Sequence, residues 1–241
     1  MEPSEYHNIA HLEENHWWYA GIRYISQSLI RRLGLPSSAK ILDAGCGVGG
    51  GLKWLQQFGE TIGIDLHPLA IQYSAKYSHR IARASVQSIP FASNTFDLVT
   101  SFDVLYHLSI TDDQQVLNEF ARVTRPGGYI VIRVPAHDWL RGAHDRQVHT
   151  RHRYEPNELR KKIQTADLRL NRLTYVGLSF WFLAVVSRLL EKKDEAHSDV
   201  KMPPLPINTI LKLLISAESI WLRWLNSPLG LSLLAIAQKR E

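Results

Sequence analysis

Residues 41–51 read ILDAGCGVGGG. An apolar pair, an acid and then glycines is how a buried strand empties into a tight turn that opens a helix. Glycine is the residue that tolerates left-handed backbone and close approach at such a turn. A chain built around this stretch needs a strand before it and a helix after it.

The flanking sequence repeats that alternation. Residues 40–44 read as a strand, 49–58 as a helix, 61–65 as a strand, and 68–77 as a helix with Pro68 in its first turn. A short strand follows at 80–84 and a buried one at 96–102. The helix at 111–123 has Asp112 and Asp113 at its positive end. Residues 125–128 (RPGG) read as a turn and 129–134 (YIVIRV) as an apolar strand. Short apolar strands separated by helices predict a doubly wound α/β fold, its mostly parallel sheet covered on both faces. Ligands of such sheets bind beyond the carboxyl ends of the strands, here the loops after Leu42, Ile64, Ala84, Thr100 and Val134. Before the first strand, 21–33 forms an amphipathic helix ended by Gly34 and Pro36. After the fifth come a helix (155–166), a strand (168–176), an apolar helical segment from 177, a Pro-rich linker (194–206), a helix from 207 to about 225 and a closing strand (232–240). The 241 residues read as one domain. Its parts are an N-terminal lid over 1–38, a cofactor-binding core over 39–135 and a helical cap inserted over 177–226.

Several function classes are disfavoured. The net charge of +5 is modest, and no Lys/Arg run carries the interleaved aromatics that track a nucleic-acid backbone, so no nucleic-acid partner is expected. The single cysteine, Cys46, excludes an internal disulfide framework and argues against a thiolate zinc site; its place between two glycines suits packing. The N-terminus MEPSEYHN lacks a signal-peptide pattern, and the longest apolar stretch, 173–186, is shorter than the ~18 residues of a membrane span. A cytoplasmic protein is expected.

Two cofactors compete for the loop. Gly45, Gly47 and Gly50 satisfy the G-x-G-x-x-G dinucleotide pattern, while Asp43, Gly45, Gly47 and Gly49 satisfy D-x-G-x-G-x-G, a loop for S-adenosylmethionine. A carboxylate two residues before the first glycine opposes a pyrophosphate. S-adenosylmethionine carries an ammonium and a sulfonium, which an acid favours. Asp65, about 20 residues after the first glycine, can accept the ribose hydroxyls of either. An NAD-dependent oxidoreductase is therefore the weaker alternative.

ILDAGCGVGG, GIDLHP, SVQSIPFASNTFDLVTSFDVLYHL and LNEFARVTRPGGYIVIRVP, in this order, resemble the motifs of class I S-adenosylmethionine-dependent methyltransferases. The likeness spans roughly residues 38–135 and is nearest the small-molecule branch that includes quinone-ring methyltransferases. It implies a seven-stranded sheet whose last strand, 232–239, is antiparallel. It also implies that Asp43, Ala44, Gly45, Gly47 and Gly49 form the loop under the methionine portion. Asp65 and Leu66 would meet ribose and adenine, with Ser85, Val86 and Gln87 beside the adenine edge. The family often has an acid where this chain has Ser85. The Phe102 carbonyl would face the ammonium. HWWY (16–19) resembles an N-terminal aromatic element that lids the cleft, which brings Tyr19 and Arg23, one helical turn apart, toward the cofactor carboxylate. A catalytically silent cofactor-binding subunit of a biosynthetic complex is the alternative from another class.

The segment AHDWLRGAHDRQVHTRHRY (136–154) follows the fifth strand and is dense in residues that orient or deprotonate an acceptor. His144 and His149 are the expected general bases, with Asp145 as orienting carboxylate; Arg151, Arg153 and Tyr154 equally suit loop anchoring. His107 faces the same pocket, in a catalytic or a structural role. The spacing of His137, His144, His149 and His152 matches no zinc signature, so no metal is expected. Trp17, Trp18, Tyr106, Tyr154, Phe180 and Trp181 are the expected acceptor pocket, suited to a small, lipophilic or aromatic metabolite. The aromatic and aliphatic cap either packs on the core or also opens on a lipid surface, with Arg188, Lys192 and Lys193 at its margin.

Overall fold

The computed structural model describes residues 1–190 and 202–241, with side chains at 143–144 and 187–190 left aside. Seven strands form one sheet in the order β3-β2-β1-β4-β5-β7-β6. β1 (Lys40–Ala44), β2 (Glu60–Asp65), β3 (Ile81–Arg83), β4 (Phe96–Phe102) and β5 (Thr124–Pro135) pair in parallel. β7 (Ser232–Lys239) lies antiparallel between β5 and β6 (Leu168–Val176), as the sequence resemblance implies. The chain winds outward from β1 in one direction and from β4 in the other, so the carboxyl ends of these two strands form the switch point.

Adjacent residues of the central strands serve opposite faces. Leu42, Val99 and Ile130 pack beneath α5 (Asp113–Val123) and α7 (Pro156–Thr165), through Phe120, Leu159 and Ile163. Their neighbours Ile41, Leu98 and Val131 pack beneath α2 (Trp17–Ile30), α3 (Gly50–Leu55) and α9 (Leu205–Trp221), through Ile25, Leu29, Leu55 and Ile215. This is the two-residue period of a strand covered on both sides, and each such side chain contributes about 1.5–3 kcal/mol. The remaining helices are α1 (Pro3–Leu12), α4 (Pro68–Ser74), α6 (Ala143–Gln147) and α8 (Leu178–Leu190). α9 crosses α2 at Gly21, where a β-carbon would overlap the Ile215 side chain.

Apart from helix ends that fall a few residues short of the sequence reading, the structure differs from it in four places. α2 starts at Trp17 rather than Gly21, because the His16 ring accepts the Trp18 N–H at 3.3 Å and caps the helix there. α1 was not anticipated: its inward residues are few, with Tyr6 stacked on His67 at 4.3 Å between ring centroids. The expected turn at 125–128 lies inside β5, where the pairing jumps from Phe96–Thr124 to Leu98–Tyr129 and Gly127 has φ 75°. The glycine thus absorbs a bulge instead of reversing the chain. α9 begins at Leu205, and most of the expected linker, 194–206, lies outside the described residues.

Candidate cofactor and acceptor cavity

A cavity of about 880 Å3 opens at the carboxyl ends of β1, β2 and β4, with α2 forming one wall. That is near the top of the ~300–1,000 Å3 range of ligand sites, enough for two molecules side by side. The glycine loop forms its floor. Gly45 and Gly47 have φ of 85° and 53°, and the two differ in what surrounds them. A β-carbon at Gly45 would lie 2.3 Å from Val104 Cγ2, whereas one at Gly47 would meet no atom within 4 Å and would project into the cavity. Gly47→Ala is therefore expected to cost only the ~1–2 kcal/mol of a left-handed alanine, yet to weaken cofactor binding at least tenfold. Gly45→Ala is expected to lose more stability than that, through the added clash. Urea unfolding and calorimetry on both variants check the contrast.

Gly50 and Gly51 each admit a carboxylate. β-Carbons there would lie 2.2 Å from Glu13 Cδ and 2.4 Å from Asp43 Oδ2. Asp43, at the end of β1, is buried and accepts the Thr100 hydroxyl at 2.8 Å from the neighbouring strand. Glu13, from the α1–α2 junction, accepts the Gly50 N–H at 3.1 Å. Asp65 accepts the Gly47 N–H at 3.0 Å and the His67 N–H at 2.9 Å. Burial pushes the Asp43 carboxyl up to about 7, against the Thr100 hydrogen bond. Burial likewise pushes Glu13 up to about 7, against the Gly50 hydrogen bond and with the charge of Asp43 adding to the rise. Asp65 is also raised, chiefly by burial. Among the described residues none of these three carboxylates forms a direct ion pair; Arg133 acts on Asp43 and Glu13, and Arg23 on Glu13, only at longer range. The other two acids on the wall are paired directly: Asp103 with Arg133 at 2.5 Å and Asp145 with Arg153 at 2.8 Å.

A floor with three carboxylates outside any direct ion pair suits a cationic ligand and repels a pyrophosphate. The opposite needs of S-adenosylmethionine are also present. Arg23 lies on the wall, where its guanidinium makes a long 3.4 Å contact to the Glu14 carbonyl and no direct ion pair, so it is available to a ligand carboxylate. Ser26, one turn further along α2, lines the same wall with its buried hydroxyl unbonded. Leu66 is an exposed apolar side chain at the rim, suited to a purine face. The residues present therefore fit this cofactor.

Of the residues singled out for the cofactor, Tyr19, Arg23, Asp43, Gly45, Gly47, Asp65, Leu66, Ser85, Val86 and Phe102 line the cavity. Ala44, Gly49 and Gln87 do not. Ala44 is fully buried in β1, and Gly49 packs α3 on α4, its missing β-carbon 2.8 Å from Ser74 Cα. The Gln87 side chain instead accepts the Thr111 N–H at 2.8 Å, holding the turn before α5. Ser85 Oγ accepts the Gln87 N–H at 3.2 Å. Sequence reasoning missed Glu13, Ser26, Asp103 and Arg133. The signal for Glu13 was the glycine run itself: Gly50 and Gly51 exceed what the loop pattern needs, and each is explained by a carboxylate against it.

Of the residues singled out for the acceptor and for proton transfer, Trp17, Trp18, Tyr106 and His107 line the cavity, whereas Phe180, Trp181 and Tyr154 do not. Phe180 sits behind Trp17 at 4.3 Å between centroids, and Trp181 packs against Trp139 and His137. Tyr154 is fully buried, its hydroxyl 2.6 Å from Asp113 and 3.2 Å from the Leu105 carbonyl. His149 is not on the cavity wall. Its Nε2 meets Glu2 at 2.7 Å and its Nδ1 the Met1 nitrogen at 3.2 Å, because φ 55° turns the residue toward the N-terminal segment. Asp145 orients Arg153 in place of a histidine, through contacts at 2.8 and 3.0 Å. The His144 side chain lies outside the described residues. Arg151 pairs with Asp113 at 2.8 Å, so the 151–154 segment anchors the loop.

His107 has the geometry of a proton acceptor. Its Nδ1 is 2.7 Å from the Val148 carbonyl, which can only accept, so the proton sits on Nδ1 and Nε2 keeps its lone pair. Burial pushes its pKa down to about 4, against that hydrogen bond. The ring is neutral at pH 7. Asp113, His152 and Glu158 bring ligand atoms within 4.8 Å of one another. However, Asp113 already faces Lys162 Nζ and Arg151 Nη2, each at 2.8 Å, so its charge is compensated without an ion.

A family model described as a methyltransferase domain matches residues 42–132. The chain is 30% identical over 118 residues to methyltransferase GfsG of Streptomyces halstedii, covering 45% of this chain and 42% of that one. It is 36% identical over 131 residues to the chloroplastic tocopherol O-methyltransferase of Arabidopsis thaliana, covering 47% of this chain and 36% of that one. The chain thus spans about two fifths of the length of these relatives. The fold superposes on an S-adenosylmethionine-dependent methyltransferase of Thermotoga maritima with a TM-score of 0.62 at 12% identity, covering 98% and 95% of the two chains.

Proposed function

With residues 42–132 forming a class I S-adenosylmethionine-dependent methyltransferase domain, we propose that the chain transfers a methyl group from S-adenosylmethionine to a small, lipophilic or aromatic acceptor in the cytoplasm. The observation that carries the cofactor half of this reading is the trio Glu13, Asp43 and Asp65, three carboxylates around the glycine loop that form no direct ion pair among the described residues. When bound, the cofactor supplies a methyl carbon already activated by its sulfonium. The protein has to align the acceptor, exclude water and remove a proton where the nucleophile carries one.

Trp17, Trp18 and Tyr106 offer flat apolar walls for the acceptor. The lipophilic character of the substrate named for the tocopherol relative agrees with these walls, and α8 and α9 add exposed apolar surface. His107 Nε2 takes the acceptor proton; burial keeps the ring neutral and also makes it a weak base, so the transfer has to accompany methyl departure from the sulfonium. His107→Asn is expected to lower kcat by about 100- to 10,000-fold for an acceptor that must lose a proton, with cofactor affinity unchanged. An unchanged kcat would assign His107 to structure alone. The reading as a whole is tested by incubating the protein with methyl-labelled S-adenosylmethionine and a panel of phenols and quinols with apolar tails. Label in the organic phase is expected, and label confined to unreacted cofactor across the panel would count against the acceptor class.

A further inference from the structure

α9 buries Asn208, Glu218 and Ser219 beside Ile215 and leaves most of its other apolar residues exposed. Asn208 and Glu218 face the protein. Asn208 accepts the Trp17 N–H at 2.9 Å and donates to the Asn15 carbonyl at 3.0 Å, pinning the start of α2. Glu218 accepts the Gly177 and Leu178 N–H groups at 2.8 and 3.2 Å, at the start of α8. Ile207, Ile210, Leu214, Ala217, Ile220 and Trp224 are exposed and follow one another at steps of three and four, continuing past the helix end. Phe182 and Leu183 of α8 are 71% and 63% exposed, and Trp224 is 75% exposed. A helix apolar on its outer side needs a covering phase.

The charge of this face identifies the phase. Within 202–231 the single acid is Glu218, which is buried as a cap; the bases are Lys212 and Arg223. Arg32 adds a third cation, its guanidinium 4.3 Å over the Trp224 ring. A second copy related by a two-fold axis would place this cationic face on another of the same sign, with no exposed acid of 202–231 to compensate it. An anionic lipid surface pairs with them instead, and Trp beside Arg is the side-chain combination of a membrane interface. No helix among the described residues is long and apolar enough to cross a membrane, so contact is from one side. Ala184 of α8 and Pro203 before α9 also line the cavity, so its acceptor end lies next to this face.

We propose that the outer face of α8 and α9 docks on an anionic bilayer and that the acceptor enters the cavity from the lipid past Ala184 and Pro203. The entry step rests on the lipophilic-acceptor reading above; the docking does not. The test is co-sedimentation of the full chain, without cofactor, with vesicles of phosphatidylcholine alone or with a quarter phosphatidylglycerol. Binding is expected with the anionic vesicles. Ile210→Glu/Leu214→Glu and Lys212→Glu/Arg223→Glu are each expected to lower the partition coefficient by about tenfold or more. Ile210, Leu214 and Arg223 are exposed and Lys212 is half-buried beside the Tyr24 ring, and calorimetry with S-adenosylmethionine confirms that the variants are folded. Absence of binding, binding unaffected by either pair, or a dimer in solution that Ile210→Glu/Leu214→Glu dissociates would each overturn the docking. Vesicle binding failing while cofactor binding persists would leave the methyltransferase reading intact; loss of cofactor binding in the wild-type protein would overturn that reading instead.

Discussion

Asp43→Asn is expected to weaken S-adenosylmethionine binding by about 10- to 150-fold, the ~1.5–3 kcal/mol of a hydrogen bond to a charged group, while making the unliganded protein more stable at pH 8. The two effects share one cause. Asp43 is 2% exposed and its carboxyl is pushed up to about 7, mainly by burial. Each unit above the unfolded value of a carboxylate corresponds to about 1.4 kcal/mol. An acid whose folded pKa is raised stabilises the fold fully below its unfolded pKa, and that contribution is lost as pH rises through the folded value. The ionised form is thus a strain on the empty protein that a cationic ligand relieves. Asparagine keeps an acceptor for the Thr100 hydroxyl and removes the charge. The melting temperature of the variant should exceed that of the wild type at pH 8, with the gap closing toward pH 4. Wild-type affinity should rise with pH and level off above about 7, where Asp43 and Glu13 are both ionised. A variant with unchanged affinity, or one less stable at pH 8, would remove Asp43 from this role.

Asp113→Ala is expected to destabilise the fold by about 3–5 kcal/mol, the range for removing one member of a buried ion-pair network. Asp113 opens α5 and is 3% exposed. Its oxygens collect Lys162 from α7, Arg151 from the loop after β5 and the fully buried Tyr154 hydroxyl, at 2.6–2.8 Å. Burial alone would raise its pKa, but the hydrogen bonds from Lys162 and Tyr154 and the nearby charges hold it below the usual carboxylate value. That sign makes its contribution present at neutral pH and lost only as pH falls through the depressed value. Urea unfolding at pH 7 reads the loss, and the defect should shrink as the solution is acidified. A loss below about 1 kcal/mol would reduce the cluster to a surface ion pair.

The contrast between the two acids shows what the sequence made legible. Asp43 sits in a local pattern: strand, acid and glycines are contiguous, and the physics of the loop can be argued from 41–51 alone. Asp113 was read only as a charge at a helix start. Its three partners come from positions 151, 154 and 162, and nothing local announces them. The strands were legible because buried strands write continuous apolar runs; β4 and β6 match their expected bounds. α1 was not, because few of its residues face inward and Glu13 at its end looks like a solvated charge. The histidines failed for a related reason. Four of them crowd one segment, yet direction depends on backbone angles, and φ 55° takes His149 off the wall while His107, from a different loop, reaches it. Tyr154 and Phe180 were placed in the pocket by residue type, and core packing claims both.

The central claim is that the glycine loop with Glu13, Asp43 and Asp65 forms a site for a cationic cofactor. Isothermal calorimetry of the wild-type chain at pH 8 against S-adenosylmethionine and NAD tests it most directly. One S-adenosylmethionine per chain, with no heat from NAD, is the predicted result. Binding of NAD with no binding of S-adenosylmethionine would contradict it.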